Sequence, residues 1–385
     1  MDPMAKNNFT DSHTPQAKIR LAVLGDLMLI TKAGAAAPDR GLECLSAELL
    51  QILSACDVVF ANLECTLPAE RDALDGLLPK EAVPTEPLVL TTEKQMRTVT
   101  EAGIRAVTLG NNHMFDCLDA GFQRTTRLLD EMEVLWCGAG RDLEEACQPA
   151  ITEINGISLA FIGAVDNSSG AYRFADPVSS GVAPLDTEDL CKRITKLKNH
   201  VNHIIVSPHW GEERFRIPSP KQQKQARAFI DAGAGMVLGH HPHVLQGMEY
   251  YRGKPIVYSL GNFFANPVHW TRVDDVLHWN RYERTGCLFV AELDETNLLR
   301  SQRIPTFDDG RTIGLHPKPW GKRHLRNVDG LLKRDITPAR YRREAFRVCT
   351  VKPILAHLHW SRIGKLRFSH LSKGLGLIFR RNEPV

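Results

Sequence analysis

An α/β sandwich on a mixed sheet is the architecture this sequence predicts. Short apolar, β-branched runs first alternate with segments of helical period, the later runs pair as hairpins, and six runs end in compact polar clusters. The clusters are Gly25-Asp26, Asn62-Leu63-Glu64, Gly110-Asn111-Asn112-His113, Pro208-His209-Trp210-Gly211, Gly239-His240-His241-Pro242-His243 and Ser259-Leu260-Gly261-Asn262. Strand ends in such sheets gather side chains from distant positions onto one rim.

In chain order, Ile19–Leu24 reads as a buried strand and Leu42–Ala55 has helical spacing. Asp57–Ala61 is a second strand. Leu67–Leu90, rich in Pro and charge, reads as a long surface loop. Thr92–Ala102 opens as a capped helix does, Arg105–Leu109 is a third strand, and Leu118–Met132 a helix. Asn155-Gly156 between Ala150–Ile154 and Ile157–Ile162 is a hairpin signal, because both residues tolerate positive φ. Helices follow at Thr187–Lys198 and Pro220–Ala232, and strands at His203–Val206 and Gly235–Leu238. Val244–Tyr251 and Lys254–Leu260 form a pair turning at Arg252-Gly253, and Thr285–Leu293 is the last expected strand. The expected organisation is a disordered tail over 1–17, a folded body over 18–310, and a basic extension over 311–385.

Bulk composition narrows the classes. No run of about 18 apolar residues marks a membrane span. The first residues are polar and lack the apolar stretch of a secretory signal. The nine cysteines include no C-x-x-C pair, so neither a zinc ribbon nor a disulfide framework is expected. A cytoplasmic protein is the expectation. The net charge of +3 hides an asymmetry. Lys318 to Val385 carries 17 Lys/Arg against four acids, leaving 31 basic and 41 acidic residues before it. Such an extension either pairs with the acidic body or meets an anionic membrane, nucleic acid or acidic polymer. No specific nucleic acid is predicted. Leu366–Arg381 mixes apolar and basic residues as interfacial helices do, or covers its apolar face by packing on the body, which puts peripheral contact with the inner membrane surface among the expectations.

The clusters hold the chemistry. Singly, each residue has a plain structural use: Asp26 and Glu64 as loop acids or caps, Asn112 as a helix cap, His209 as a loop residue, Asn262 in a turn. Jointly they supply what a two-metal hydrolytic site needs. Asp26 and Glu64 are carboxylates, Asn112 an amide, and His209, His241 and His243 imidazoles. Such a set suits one or two divalent ions such as Mn, Fe or Zn. In an extended His241-Pro242-His243 segment, residues i and i+2 would face one ion. His113 is the expected general acid, with Asp116 holding its tautomer.

The stretches LAVLGDLML, VVFANLECTLP, VTLGNNHMFDCLDAG, VSPHWGEE and VLGHHPHVLQGMEYYRGKPIVYSLGNFF resemble the CapA family of poly-γ-glutamate capsule biosynthesis proteins, which is similar to calcineurin-like metallophosphoesterases. The resemblance implies a four-layer α-β-β-α sandwich with a dinuclear metal site. It implies that Asp26, Glu64, Asn112, His209, His241 and His243 are ligands, with Glu64 in the bridging place. It makes His113 the catalytic histidine and Glu213 and Asn262 pocket residues. Two departures stand out. Met28 occupies the place of a phosphoesterase histidine, and a thioether is a poor ligand for such metals. Thr31 and Lys32 stand where family members commonly have Arg. The expected function is a metal-dependent hydrolase acting on a phosphoester or an anionic polymer. The alternative is a non-catalytic accessory or scaffold of polymer synthesis at the membrane surface.

Overall fold

The computed structural model describes residues 17–29, 41–68, 87–270, 275–317 and 319–352. One sheet contains Ile19–Met28 (β1), Val58–Leu63 (β2), Ala106–Thr108 (β3), Leu135–Cys137 (β4), Asn262–Ala265 (β13), Thr285–Leu293 (β16), Leu298–Asp308 (β17) and Ile313–Leu315 (β18). The other contains Ala150–Ile154 (β6), Ile157–Val165 (β7), His203–His209 (β9), Met236–Leu238 (β10), Met248–Tyr251 (β11) and Lys254–Val257 (β12). Ala139–Gly140 (β5) pairs Gly181–Val182 (β8), and Val268–Trp270 (β14) pairs Asp275–Leu277 (β15). The first sheet runs β18-β17-β16-β1-β2-β3-β4, with β13 pairing β1, and the second runs β11-β12-β10-β9-β7-β6.

Side-chain alternation explains the layers. In β1, Leu21 and Val23 enter the core between the sheets, while Ala22 and Leu24 enter the core under the helices. In β2, Val58 and Phe60 face inward while Val59, Ala61 and Leu63 face the helices. The second sheet repeats the rule: Leu159 and Phe161 face the first sheet, Ala160 and Ile162 the opposite side. Strands buried on both faces read as continuous apolar runs, as these do. The rings of Phe60 and Phe161 stack 4.4 Å apart across the sheets.

Ala47–Ser54 (α1), Glu93–Glu101 (α2) and Leu118–Glu131 (α3) cover the outer face of the first sheet through residues such as Leu49, Met96 and Phe122. Thr187–Leu197 (α5) and Pro220–Ala232 (α6) cover the second through Ile194 and Phe229. Ser219 and Gln222 close a capping box at the start of α6, with Pro220 in the first turn. The short Leu143–Ala146 (α4) packs beside β5. The result is a four-layer α-β-β-α sandwich.

The chain beyond residue 310 continues the body. β18 pairs β17, and Trp320–Leu332 (α7) sends Leu325 and Val328 into the core between the sheets. Pro338–Phe346 (α8) packs Tyr341 and Ala345 against Phe215 and Ile217. Residues 353–385, including the basic amphipathic stretch, residues 1–16, Thr31 and Lys32 lie outside the described residues. No helix among the described residues is long and apolar enough to cross a membrane.

Glu344 fastens α8 to the body. Its Oε1 accepts from the Arg216 backbone N–H at 2.9 Å, and Arg347 pairs with the same carboxylate. Burial opposes its charge, but Arg347 and Arg216 hold it below its ordinary value of 4.5, at about 2. A carboxylate depressed by folding stabilises the protein above its unfolded value, and that stability is lost as pH falls through the folded one. The wild type is therefore expected to lose on the order of 2 kcal/mol between about pH 5 and pH 2 that Glu344→Gln does not lose. Thermal melts across that range, compared between the two proteins, check it.

Candidate metal centre

Gly25 and Gly261 set the position of Asp26. A Cβ on Gly25 would stand 1.9 Å from the Gly261 carbonyl oxygen. Only glycine lets β1 run this close to the turn that precedes β13. The Asp26 N–H donates to that same carbonyl at 2.9 Å. The register of β1 shifts between Val23 and Asp26, as happens where a bulge re-aims a side chain. Asp26, Asn62 and Asn262 become lateral neighbours on parallel strands.

The remaining groups arrive from both sheets. Asn62 and Glu64, two residues apart, both turn toward Asp26: the Asn62 Nδ2 donates to Asp26 Oδ1 at 2.9 Å and to Glu64 Oε2 at 3.1 Å. His209 ends β9, and its Nε2 lies 2.7 Å from Asn112 Oδ1 and 3.7 Å from Glu64 Oε1. His243 Nε2 lies 3.5 Å from the same Glu64 oxygen, and its Nδ1 lies 2.8 Å from Asn262 Oδ1. The His241 backbone N–H reaches Asp26 Oδ2 at 3.4 Å, and its ring centroid is 4.8 Å from that of His209.

Two triads emerge. One donor atom each from Glu64, His209 and His241 lie within 4.8 Å of one another, and so do those of Asp26, Glu64 and His243. Glu64 belongs to both. Its Oε1 and the His241 Nδ1 are buried without a hydrogen-bond partner. Two such orphaned acceptors between imidazoles fit cations placed there, and the mixed carboxylate–imidazole donor set suits Mn, Fe or Zn.

Burial is the largest influence on the charges of these groups. Burial pushes Glu64 up to about 8, with His243 opposing and Asp26 adding. Burial also works against Asp26, yet His240 and His243 hold it well below the usual carboxylate range. Burial drives His241 down to about 4, and burial with the neighbouring His241 drives His209 well below its ordinary value. His243 is the exception: Glu64 and Asp26 overcome its burial and raise it to about 10.

Beside the triads, His113 Nδ1 lies 2.8 Å from Asp116 Oδ2, which also accepts from the Val89 N–H at 2.7 Å. Asn111 Oδ1 accepts from the His113 N–H at 3.0 Å, and Asn111 Nδ2 donates to the Leu63 carbonyl at 2.8 Å. This bridge ties the loop after β3 to the strand end bearing Glu64.

One expectation changes. His241 and His243 do not lie in an extended segment: residues 241–244 are bends, and both histidines have positive φ, 93° and 55°. Backbone held there costs on the order of 1–3 kcal/mol per residue and marks functional sites. Met28 takes no place among the donors; it packs in the apolar core between the first sheet and its helices. Asn262 serves His243 directly and anchors itself through Nδ2 to the Glu283 carbonyl at 3.0 Å. Glu213 is exposed, and its charge acts on His241 and His243 from outside the cage.

Sequence reasoning passed over His240, whose Nδ1 sits 2.7 Å from Asp26 Oδ1. It also passed over the structural amides Asn62 and Asn111, and Trp279, whose ring packs 5.3 Å from His243. The spacing of Asn62 and Glu64 was the available signal; Trp279 stands in no cluster.

A family model described as the bacterial capsule synthesis protein PGA_cap matches residues 20–267. The chain is 29% identical over 289 residues to the capsule biosynthesis protein CapA of Bacillus anthracis, covering 73% of this chain and 69% of that protein. It is 29% identical over 293 residues to the PGA biosynthesis protein CapA of Bacillus subtilis, covering 74% and 75%. Among solved structures, the 5'-nucleotidase of Candida albicans aligns over 82% of this chain and 57% of its own, with 12% identity and a TM-score of 0.41.

Proposed function

Because the chain belongs to the bacterial capsule synthesis protein family, we propose that it is a metal-dependent hydrolase acting on a phosphoester or on an anionic, poly-γ-glutamate-like polymer. The observation that carries this reading is the double membership of Glu64, one buried carboxylate shared by two donor triads. Asp26, Glu64, His209, His241 and His243 would hold the ions, with Asn112 reaching the same place through His209. A divalent cation there supplies Lewis-acid polarisation of the scissile group.

The protein's own residues do the rest. Asn262 and Asn62 fix the imidazole and carboxylate orientations, as outer partners do at metal sites. The Asp116 carboxylate holds the Nδ1 side of His113, leaving Nε2 to give a proton to the leaving group. Buried walls exclude bulk water around these groups.

His113 carries a pH signature. Burial pulls it down, but Asp116 more than compensates and raises it above 6.5. A proton donor is active below its own pKa, so turnover should fall as pH rises through that raised value. Asp116→Asn removes the largest charge opposing burial, so the alkaline limb should move to lower pH. The loss on the alkaline side should reach about 10²-fold, the low end of what a positioned general acid contributes.

The direct test is hydrolysis of an aryl phosphate and of a γ-linked glutamate oligomer, before and after chelation, with Mn, Fe or Zn restored. Turnover that vanishes and returns supports the reading. Stoichiometric metal without turnover on either substrate would favour a scaffold of polymer synthesis instead.

A further inference from the structure

A second group of cationic and aromatic side chains gathers around α7. A cavity of about 620 Å³ opens along α7, lined by Arg216, Arg323 and Arg326 and by Tyr282, Trp320 and His324. Trp320, Arg323, His324 and Asn327 recur at helical spacing, so one face of α7 forms its wall. His324 is buried, yet its Nε2 has no hydrogen-bond partner. Arg323 and Arg326 are exposed and make no ion pair among the described residues.

The same segments wall this cavity and the metal centre. Trp279 packs on His243, while Tyr282, a turn later, sits 5.7 Å from Trp320 and 5.3 Å from His324. The Arg214 N–H donates to the Pro242 carbonyl at 2.8 Å, and Arg216 follows two residues on at the cavity.

Two ligand classes suit guanidinium groups: phosphates and carboxylates. A nucleotide would also need an open aromatic face. Trp320 already stacks with His316 at 4.7 Å and His324 at 4.8 Å, and Arg281 lies over it at 3.9 Å. Recognition is left to separated cations and one unsatisfied imidazole nitrogen, an arrangement suited to a flexible chain bearing anions at intervals. We infer that this cavity is a binding cleft for an acidic polymer, a polycarboxylate chain of the kind proposed for the metal centre. The inference rests on the polymer reading of that centre, and deepens it by naming where the chain lies.

The test measures binding of a ten-residue γ-linked glutamate oligomer, free glutamate and pyrophosphate to the full chain. The oligomer should bind at least about tenfold more tightly than glutamate, since linked anions engage several cations at once. R323E/R326E should weaken it by about tenfold or more, and R323Q/R326Q by less, with melting temperature and metal content unchanged. Glu64→Gln should bind the oligomer as the wild type does, which separates the cleft from the metal centre. Oligomer binding that survives in both arginine double variants, or pyrophosphate binding as tightly as the oligomer, would overturn the proposal.

Discussion

Glu64→Gln should empty both metal positions and lower turnover by at least about 10²-fold, the scale on which even the outer partners of metal ligands act. The substitution keeps the shape and can still accept the Asn62 amide that now reaches Glu64 Oε2. It removes the one charge that both triads share. The fold should not suffer. Burial raises Glu64 above the ordinary carboxylate value. Such a group disfavours the folded state once pH passes its unfolded value, so a neutral Gln leaves the metal-free protein at least as stable at pH 7. Metal content falling while melting temperature holds or rises separates ligand loss from misfolding. Metal content equal to the wild type would mean that Glu64 bridges nothing.

Gly25→Ala should be the most damaging small change in the body. The new Cβ would meet the Gly261 oxygen at 1.9 Å and its carbonyl carbon at 2.9 Å, both backbone atoms that no rotamer can relieve. β1 and β13 would have to separate, with loss of the Asp26 N–H to Gly261 bond. The cost should exceed about 3 kcal/mol, in the range reserved for strained or overpacked cores. Gly156→Ala is the contrast. Gly156 has φ of 76°, but an added methyl group there would meet nothing within 4 Å, so its penalty is conformational, about 1 kcal/mol. Denaturant unfolding of the two variants measures both. Equal losses would remove the close approach of the strands as the reason for glycine at position 25.

The sandwich was legible where alternation and length were strong. β1, β2, β7 and β9 are continuous apolar runs because helices and a second sheet cover both faces. β17 escaped notice because Leu298–Asp308 is half exposed, polar and interrupted by Pro305; without its residues the sheet would stop at Leu293. β13 escaped because Asn262–Ala265 is four residues long and belongs to a polar cluster. The same limits governed the site. Residue types at strand ends announced the groups that the fold brings together, since carboxylates and imidazoles there have few other uses in combination. Spacing alone missed the turn at His241 and His243, because a reversal at positive φ leaves no mark on residues other than glycine. Met28 faced the core and not the cage for a reason only the bulge in β1 supplies. His240 lay in plain view, but which of three clustered histidines meets Asp26 depends on the pairing of His209 with His240 across the second sheet.

Crystals grown with Mn²⁺ and measured for its anomalous scattering address the central claim most directly. Two peaks on either side of the Glu64 carboxylate are predicted, one reached by His209 and His241, the other by Asp26 and His243. A difference map with no peak touching Glu64, or a lone ion held only by histidines, would contradict it.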